Sequence, residues 1–118
     1  LEEDAVAPRL NGAKIAIFVD EGFEDLEFYV TLMRLQEERA DVTVLGSSAG
    51  KEVTGKNGLQ ATVERAASDF SADDFDAVVV PGGWAPDKLR RDESITSLVR
   101  KTYDLNKTVG LICHAGLV

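Results

Sequence analysis

Cysteine and histidine each occur once in this sequence. No apolar run approaches the ~18 residues that a membrane-spanning helix needs. A single cysteine excludes an intramolecular disulfide and fits a reducing cytoplasm. That cysteine and that histidine are neighbours, Cys113 and His114, and adjacent positions lack the spacing of metal ligands, so no metal is expected. Neither a phosphate-binding loop nor a dinucleotide glycine fingerprint follows the first apolar run, and no cofactor is expected. Basic residues are in deficit, with 13 Lys and Arg against 21 Asp and Glu, a net charge of −8. Nucleic acid and anionic membranes both demand a basic face and are therefore poor partners. Acidity of this size mainly keeps a protein in solution. The amino end has no apolar core of a secretory signal, and no repeat or low-complexity segment interrupts the chain.

What is present is ordinary for a globular domain: 44% hydrophobic and 29% charged residues. At 118 residues one domain is expected, burying roughly two thirds of its unfolded surface. Residues 1–13, with Glu2, Glu3, Asp4, Pro8 and Gly12, read as an N-terminal tail, and 14–118 as an α/β domain. Lys14–Asp20 (KIAIFVD), Val42–Gly46 (VTVLG), Asp76–Val80 (DAVVV) and Thr108–Ile112 (TVGLI) are short apolar runs typical of strands buried on both faces. Leu26, Val30, Met33 and Leu35 recur at helical spacing between Glu24 and Arg39 and form the expected core stripe of a first helix. A second helix is expected over Ser94–Asn106 with Ile95, Leu98, Val99 and Leu105 inward. Lys51–Val63, broken at Gly55 and Gly58, suggests two short strands in a hairpin-like excursion. Arg65–Phe75 reads as a polar connection anchored by Phe70 and Phe75, and Trp84–Pro86 as a loop. From the start without Met and the stop at Val118, one turn into an expected helix, a fragment, nicked or truncated, of a protein some tens of residues longer is expected.

Strands alternating with helices give a doubly wound parallel sheet sandwiched by helices, flavodoxin-like or Rossmann-like in type. Ligands of such folds collect at the carboxyl ends of the strands, near the switch in strand order. Three strand ends here are chemically unusual: Asp20–Glu27, Pro81–Asp87 and Cys113–His114.

A lone cysteine between Ile112 and His114-Ala115 is most often a small buried hydrophobe. The competing reading is a nucleophile elbow, where a strand turns sharply into a helix whose free N–H groups favour the thiolate, the form that attacks. Glu24, Asp25 and Glu27 crowd the first turn of the first helix. Acidic residues favour helix starts through the dipole alone, but three in four positions exceed what capping requires, and no Ser or Thr cap is present. Glu27, with Glu24 as second choice, is the candidate to share a proton with the Cys113 sulfur. Pro81-Gly82-Gly83 reads either as a plain turn or as a place where backbone approaches a ligand. In the second reading the N–H groups of Gly83 and His114 form an oxyanion hole. His114 is a difficult general base for Cys113, because adjacent side chains at a sharp turn tend to point apart. Asp87 is its candidate carboxylate partner, from the same chain or a neighbour.

Together, DEGFEDLE after the first strand, VVVPGGWAPDKLR after the third and GLICHAG at the elbow resemble the DJ/PfpI superfamily, on a fold similar to class I glutamine amidotransferases. The resemblance runs from about Lys14 to Val118. It implies that Cys113 is an oxidation-prone nucleophile, Glu27 the carboxyl that hydrogen-bonds it, and Glu24 a second acid lining the pocket. It also implies oxyanion-hole positions at Gly83 and His114, and a triad Cys113–His114–Asp87 whose acid comes from a neighbouring subunit. Asp87 stands where PfpI-like proteins usually carry Glu, and Ala115 replaces a common Gly. The family's later strands and helices are absent. The resemblance further implies a cytoplasmic stress-response protein, a homodimer or larger homo-oligomer, acting on small carbonyls or peptides as a glyoxalase, deglycase or hydrolase. A rival expectation is a redox-sensing or chaperone-like protein whose Cys113 is oxidised to sulfinic acid. A phospho-acceptor receiver domain, suggested by Asp20 and Glu21, is disfavoured because the third strand ends in Pro-Gly-Gly.

Overall fold

The computed structural model describes residues 7–118. Of the expected tail, residues 1–6 lie outside the described residues. Its remainder is fastened, with the N–H of Leu10 donating to the carbonyl of Glu38 (3.0 Å) and that of Arg9 to Glu38 Oε2 (2.9 Å).

Five parallel strands form the sheet: β1 (Lys14–Phe18), β2 (Asp41–Gly46), β5 (Arg65–Ala66), β6 (Ala77–Val80) and β7 (Thr108–Leu111). Their spatial order is β5-β2-β1-β6-β7. β1 is central, its Ile17 opposite both Val44 of β2 and Val79 of β6. Ala16, Ile17, Phe18 and Val19 are essentially solvent-free, as expected of a strand covered on both faces. The chain winds outward from β1 in both directions, so the switch point lies at the carboxyl ends of β1 and β6. The excursion is a hairpin of β3 (Glu52–Thr54) and β4 (Gln60–Thr62), paired antiparallel.

The first helix, α1 (Asp25–Glu37), buries a different face from the expected one. Leu26, Val30 and Met33 are 64%, 55% and 56% exposed, whereas Phe28 is buried and Tyr29 and Leu32 pack against the core. The helix carries two apolar stripes, and the aromatic one faces inward. Phe23, Phe28 and Tyr29 pack edge to face with centroids 4.9–6.2 Å apart, a contact aliphatic side chains cannot replace. Trp84–Pro86 is not a plain loop but leads into a short helix, α2 (Ala85–Leu89), with Pro86 in its first turn, where the missing N–H costs nothing. The polar connection holds β5 and two 3-10 turns, Ala67–Asp69 and Ala72–Asp74. In α3 (Glu93–Asp104), Ile95 and Leu98 are buried as expected and Val99 partly so, but Leu105 is half exposed at the C-cap. β7, expected to be buried, is half exposed with Leu111 at 50%, because β6 is its only strand neighbour among the described residues.

Candidate active site

The start of α1 explains why so many acids sit there, because each has a separate task. Glu24 is the N-cap: its backbone is extended and its Oε2 accepts from the N–H of Glu27 at 2.8 Å. This is the role usually filled by a shorter polar residue. Its Oε1 accepts from Asn57 Nδ2 at 3.2 Å. Asp25 is buried, and its two oxygens accept from the N–H groups of Asn57 (2.9 Å) and Leu59 (2.8 Å) in the β3–β4 turn. Gly55 is required beside it, since a Cβ there would stand 2.6 Å from the Asp25 carboxyl carbon. Burial pushes the Asp25 carboxyl up, but the N–H groups of Asn57 and Leu59, with the charge of Lys56, outweigh it and hold the group below the ordinary aspartate value. Sequence reasoning missed this role. The signal was present in the glycine-rich turn 55–58, whose inward N–H groups need acceptors from somewhere.

Glu27 is half-buried, and its Oε1 accepts from the N–H of Gly82 at 2.8 Å. Gly82 ends the β6 turn in a space no side chain fits. A Cβ there would lie 2.5 Å from Glu27 Oε1, 2.8 Å from the Ile112 carbonyl and 3.0 Å from Cys113 Cβ. Glu27 and Cys113 thus flank one glycine. Gly83 adopts φ +85° and bridges Phe23, and a Cβ on it would stand 2.6 Å from the Gly22 carbonyl. Among the described residues, the N–H groups of Gly83 and His114 have no hydrogen-bond acceptor.

Beyond β7, the N–H of Ile112 donates to the Val80 carbonyl (3.1 Å) and the chain turns at Cys113, whose φ is +55°. The left-handed region costs an L-residue about 1–2 kcal/mol. From there the chain enters a 3-10 turn, Cys113–Leu117, in place of the expected helix start. The thiol is exposed, not a core hydrophobe. Its Sγ lies 3.4 Å from His114 Nδ1, so these adjacent side chains meet where they were expected to diverge. The hydrogen bond expected between Glu27 and the sulfur is not formed among the described residues. The carboxylate instead satisfies Gly82, whose N–H is left without a ladder partner at the strand end.

Asp87 lines one hollow of about 370 Å³ with His114, Gly83, Trp84, Lys88 and Leu117. Its carboxylate accepts from Arg90 Nε (3.0 Å) and Nη2 (2.7 Å) and from Arg91 Nη2 (2.7 Å). These hydrogen bonds from Arg90 and the nearby charge of Arg91 hold it below the ordinary aspartate value. It makes no hydrogen bond to His114 among the described residues. Asp20 accepts from Lys51 Nζ at 3.3 Å. No group of three His, Cys, Asp or Glu side chains placed to hold a metal occurs among the described residues, and no helix there is long and apolar enough to cross a membrane.

The family model described as DJ-1/PfpI matches residues 13–118. Deglycase TK1284 of Thermococcus kodakarensis is 40% identical over 101 residues, covering 86% of this chain and 60% of that protein. General stress protein 18 of Bacillus subtilis is 36% identical over 104 residues, 87% and 60% of the two chains. The chain thus spans 60% of the length of these curated relatives. A solved two-domain protein from Anabaena variabilis, with DJ-1/ThiJ/PfpI-like and ferritin-like domains, superimposes with a TM-score of 0.86. That match is at 35% identity and covers 89% of this chain and 30% of that one.

Proposed function

This chain belongs to the DJ-1/PfpI family, and from that premise we propose that it is a cysteine-dependent enzyme acting on small carbonyl compounds or peptides through Cys113. The observation that carries the proposal is the exposed thiol held in a left-handed backbone conformation, 3.4 Å from His114 Nδ1. Strain of that kind persists where the surroundings enforce it, and it gathers at active sites.

In the proposed reaction the thiol proton passes to His114 Nδ1 and Sγ adds to the carbonyl carbon. A C–S bond forms while the π pair moves onto the carbonyl oxygen. The unpartnered N–H groups of Gly83 and His114 receive that oxyanion. Glu27, with Oε1 held by Gly82, uses its other oxygen to carry a proton to or from the adduct. With an aldehyde the product of this step is a hemithioacetal. With a peptide, collapse expels the amine, which takes the proton from His114, and water then cleaves the thioester. We assign Asp87 as the acid that steadies His114, within one chain or from a second copy, since both line the same hollow. The names deglycase and general stress protein borne by relatives support carbonyl chemistry in a stress response, and the single cysteine supports a cytoplasmic setting. Turnover of methylglyoxal and of a reporter peptide by wild type and Cys113→Ser tests the reading. Loss of turnover in the variant is expected, and equal rates refute it.

The exposed thiol also favours a second reading, a redox sensor. One peroxide converts the thiol to sulfenic acid with release of water, and a second gives sulfinic acid. Mass spectrometry after mild peroxide is expected to find two added oxygens on Cys113, and an unmodified thiol rejects this reading.

A further inference from the structure

Trp84 is the sole tryptophan and is 64% exposed. A single exposed apolar residue is normal and by itself means nothing. This ring, however, is fastened. The Trp84 backbone N–H donates to the Gly22 carbonyl at 2.8 Å. Gly22, at φ +80°, leaves room for the side chain, since a Cβ there would stand 3.1 Å from Trp84 Cβ and 3.2 Å from ring atom Cε3. Lys56 Nζ, from the β3–β4 turn, lies 5.5 Å from the ring centroid, a cation–π distance. A large ring held in place before anything binds has little rotamer freedom left to lose on binding.

The ring also has a position. It lines the same hollow as His114, together with Leu117, which is 52% exposed. Charge in that hollow does not favour a cationic guest, because Asp87 is already shared by Arg90 and Arg91, and Lys88 adds a positive charge.

Resting on the Cys113 reading above, we propose that Trp84 is a specificity-determining residue selecting carbonyl substrates with a planar apolar substituent, which stacks on the indole in the hollow that Trp84 shares with His114, the neighbour of Cys113. Two 1,2-dicarbonyls that differ only in substituent, phenylglyoxal and methylglyoxal, test this in the protein of this sequence. The ratio of their kcat/KM values is expected to favour phenylglyoxal in wild type. It falls roughly two- to tenfold in Trp84→Ala, the range of one aromatic contact, and is largely restored in Trp84→Phe. Because Trp84 is the only indole, its emission in Cys113→Ser protein is a second readout, which a merely structural role would not move. Mandelate, which carries the phenyl group without a reactive carbonyl, is expected to change that emission saturably, and lactate much less. An unchanged ratio across the three proteins, or identical responses to mandelate and lactate, overturns the proposal. Equal turnover by wild type and Cys113→Ser removes the catalytic reading instead, and the emission titration then still decides whether Trp84 is a platform.

Discussion

Replacing Cys113 by glycine is expected to make the protein more stable while removing its thiol chemistry. At φ +55° an L-residue carries a cost of about 1–2 kcal/mol that glycine does not. Glycine in turn enlarges the freedom of the unfolded chain, which takes back about 0.4–1 kcal/mol. The side chain is exposed, so its removal forfeits little packing. The net expectation for Cys113→Gly is a gain of about 0.5–1 kcal/mol, or a rise of roughly 2–5 °C in Tm for a chain of this size. Cys113→Ala is the matched control: it deletes the same sulfur but keeps the Cβ, and so keeps the strain. Urea unfolding followed by far-UV circular dichroism separates the two, with activity measured alongside. Both variants are expected to be inactive, and only glycine more stable than wild type. If the glycine variant is no more stable than the alanine variant, the conformation at this position stores no strain, and the main physical reason to place a functional elbow there is gone.

Asp25→Asn keeps one acceptor oxygen and turns an NH2 donor toward the other of the two turn N–H groups, and is expected to cost about 1.5–3 kcal/mol in urea unfolding. Because the folded Asp25 carboxyl sits below its ordinary value, its contribution is complete above about pH 4 and is lost as pH falls through the folded value. The stability gap between wild type and variant should therefore shrink below about pH 4, and a gap that stays constant from about pH 6 to about pH 3 rejects the assignment. Gly82→Ala drives a Cβ against Glu27 Oε1, the Ile112 carbonyl and Cys113 Cβ. About 1–3 kcal/mol of destabilisation is expected in the same assay, with turnover lost as Glu27 is displaced. Glu27→Gln still offers an oxygen to the Gly82 N–H but carries no exchangeable carboxyl proton. Its kcat/KM is expected to fall about 10²- to 10⁴-fold, with stability changed by less than about 1 kcal/mol.

The three inner strands were legible because they are short apolar runs separated by helices, KIAIF, DVTVLG and AVVV, whereas the two-residue edge strand β5 was lost in a polar connection. The hairpin was marked by its glycines. What escaped was every feature decided by competition between similar signals. Leu26, Val30 and Met33 satisfy helical spacing as well as Phe28, Tyr29 and Leu32 do, and spacing alone cannot rank an aromatic cluster above an aliphatic stripe. Pro86 reads equally as a loop or as the first turn of a short helix. The three acids of α1 were legible as a group, but their division of labour depends on partners 30 or more residues away in sequence, at Asn57, Leu59 and Gly82. For the same reason the sequence put Glu27 forward as the partner of the Cys113 sulfur and could not reveal that its carboxylate accepts from the Gly82 amide.

These partners also account for how an unfavourable turn survives at Cys113. The three strand ends of the candidate site are joined through backbone amides more than through side-chain pairs. Glu24 holds the Glu27 amide, Asp25 the amides of the hairpin turn, Glu27 that of Gly82, and Val80 that of Ile112 just ahead of the thiol. Each of these bonds to a carboxylate is worth more than a neutral one, and all four are partly buried. Their sum exceeds the cost of about 1–2 kcal/mol for one left-handed residue, so the elbow is held by its neighbours and not by its own preference. A site built this way tolerates a change of side chain at the nucleophile better than a change of backbone at Gly82, where a methyl group meets three of the parts that must stay together.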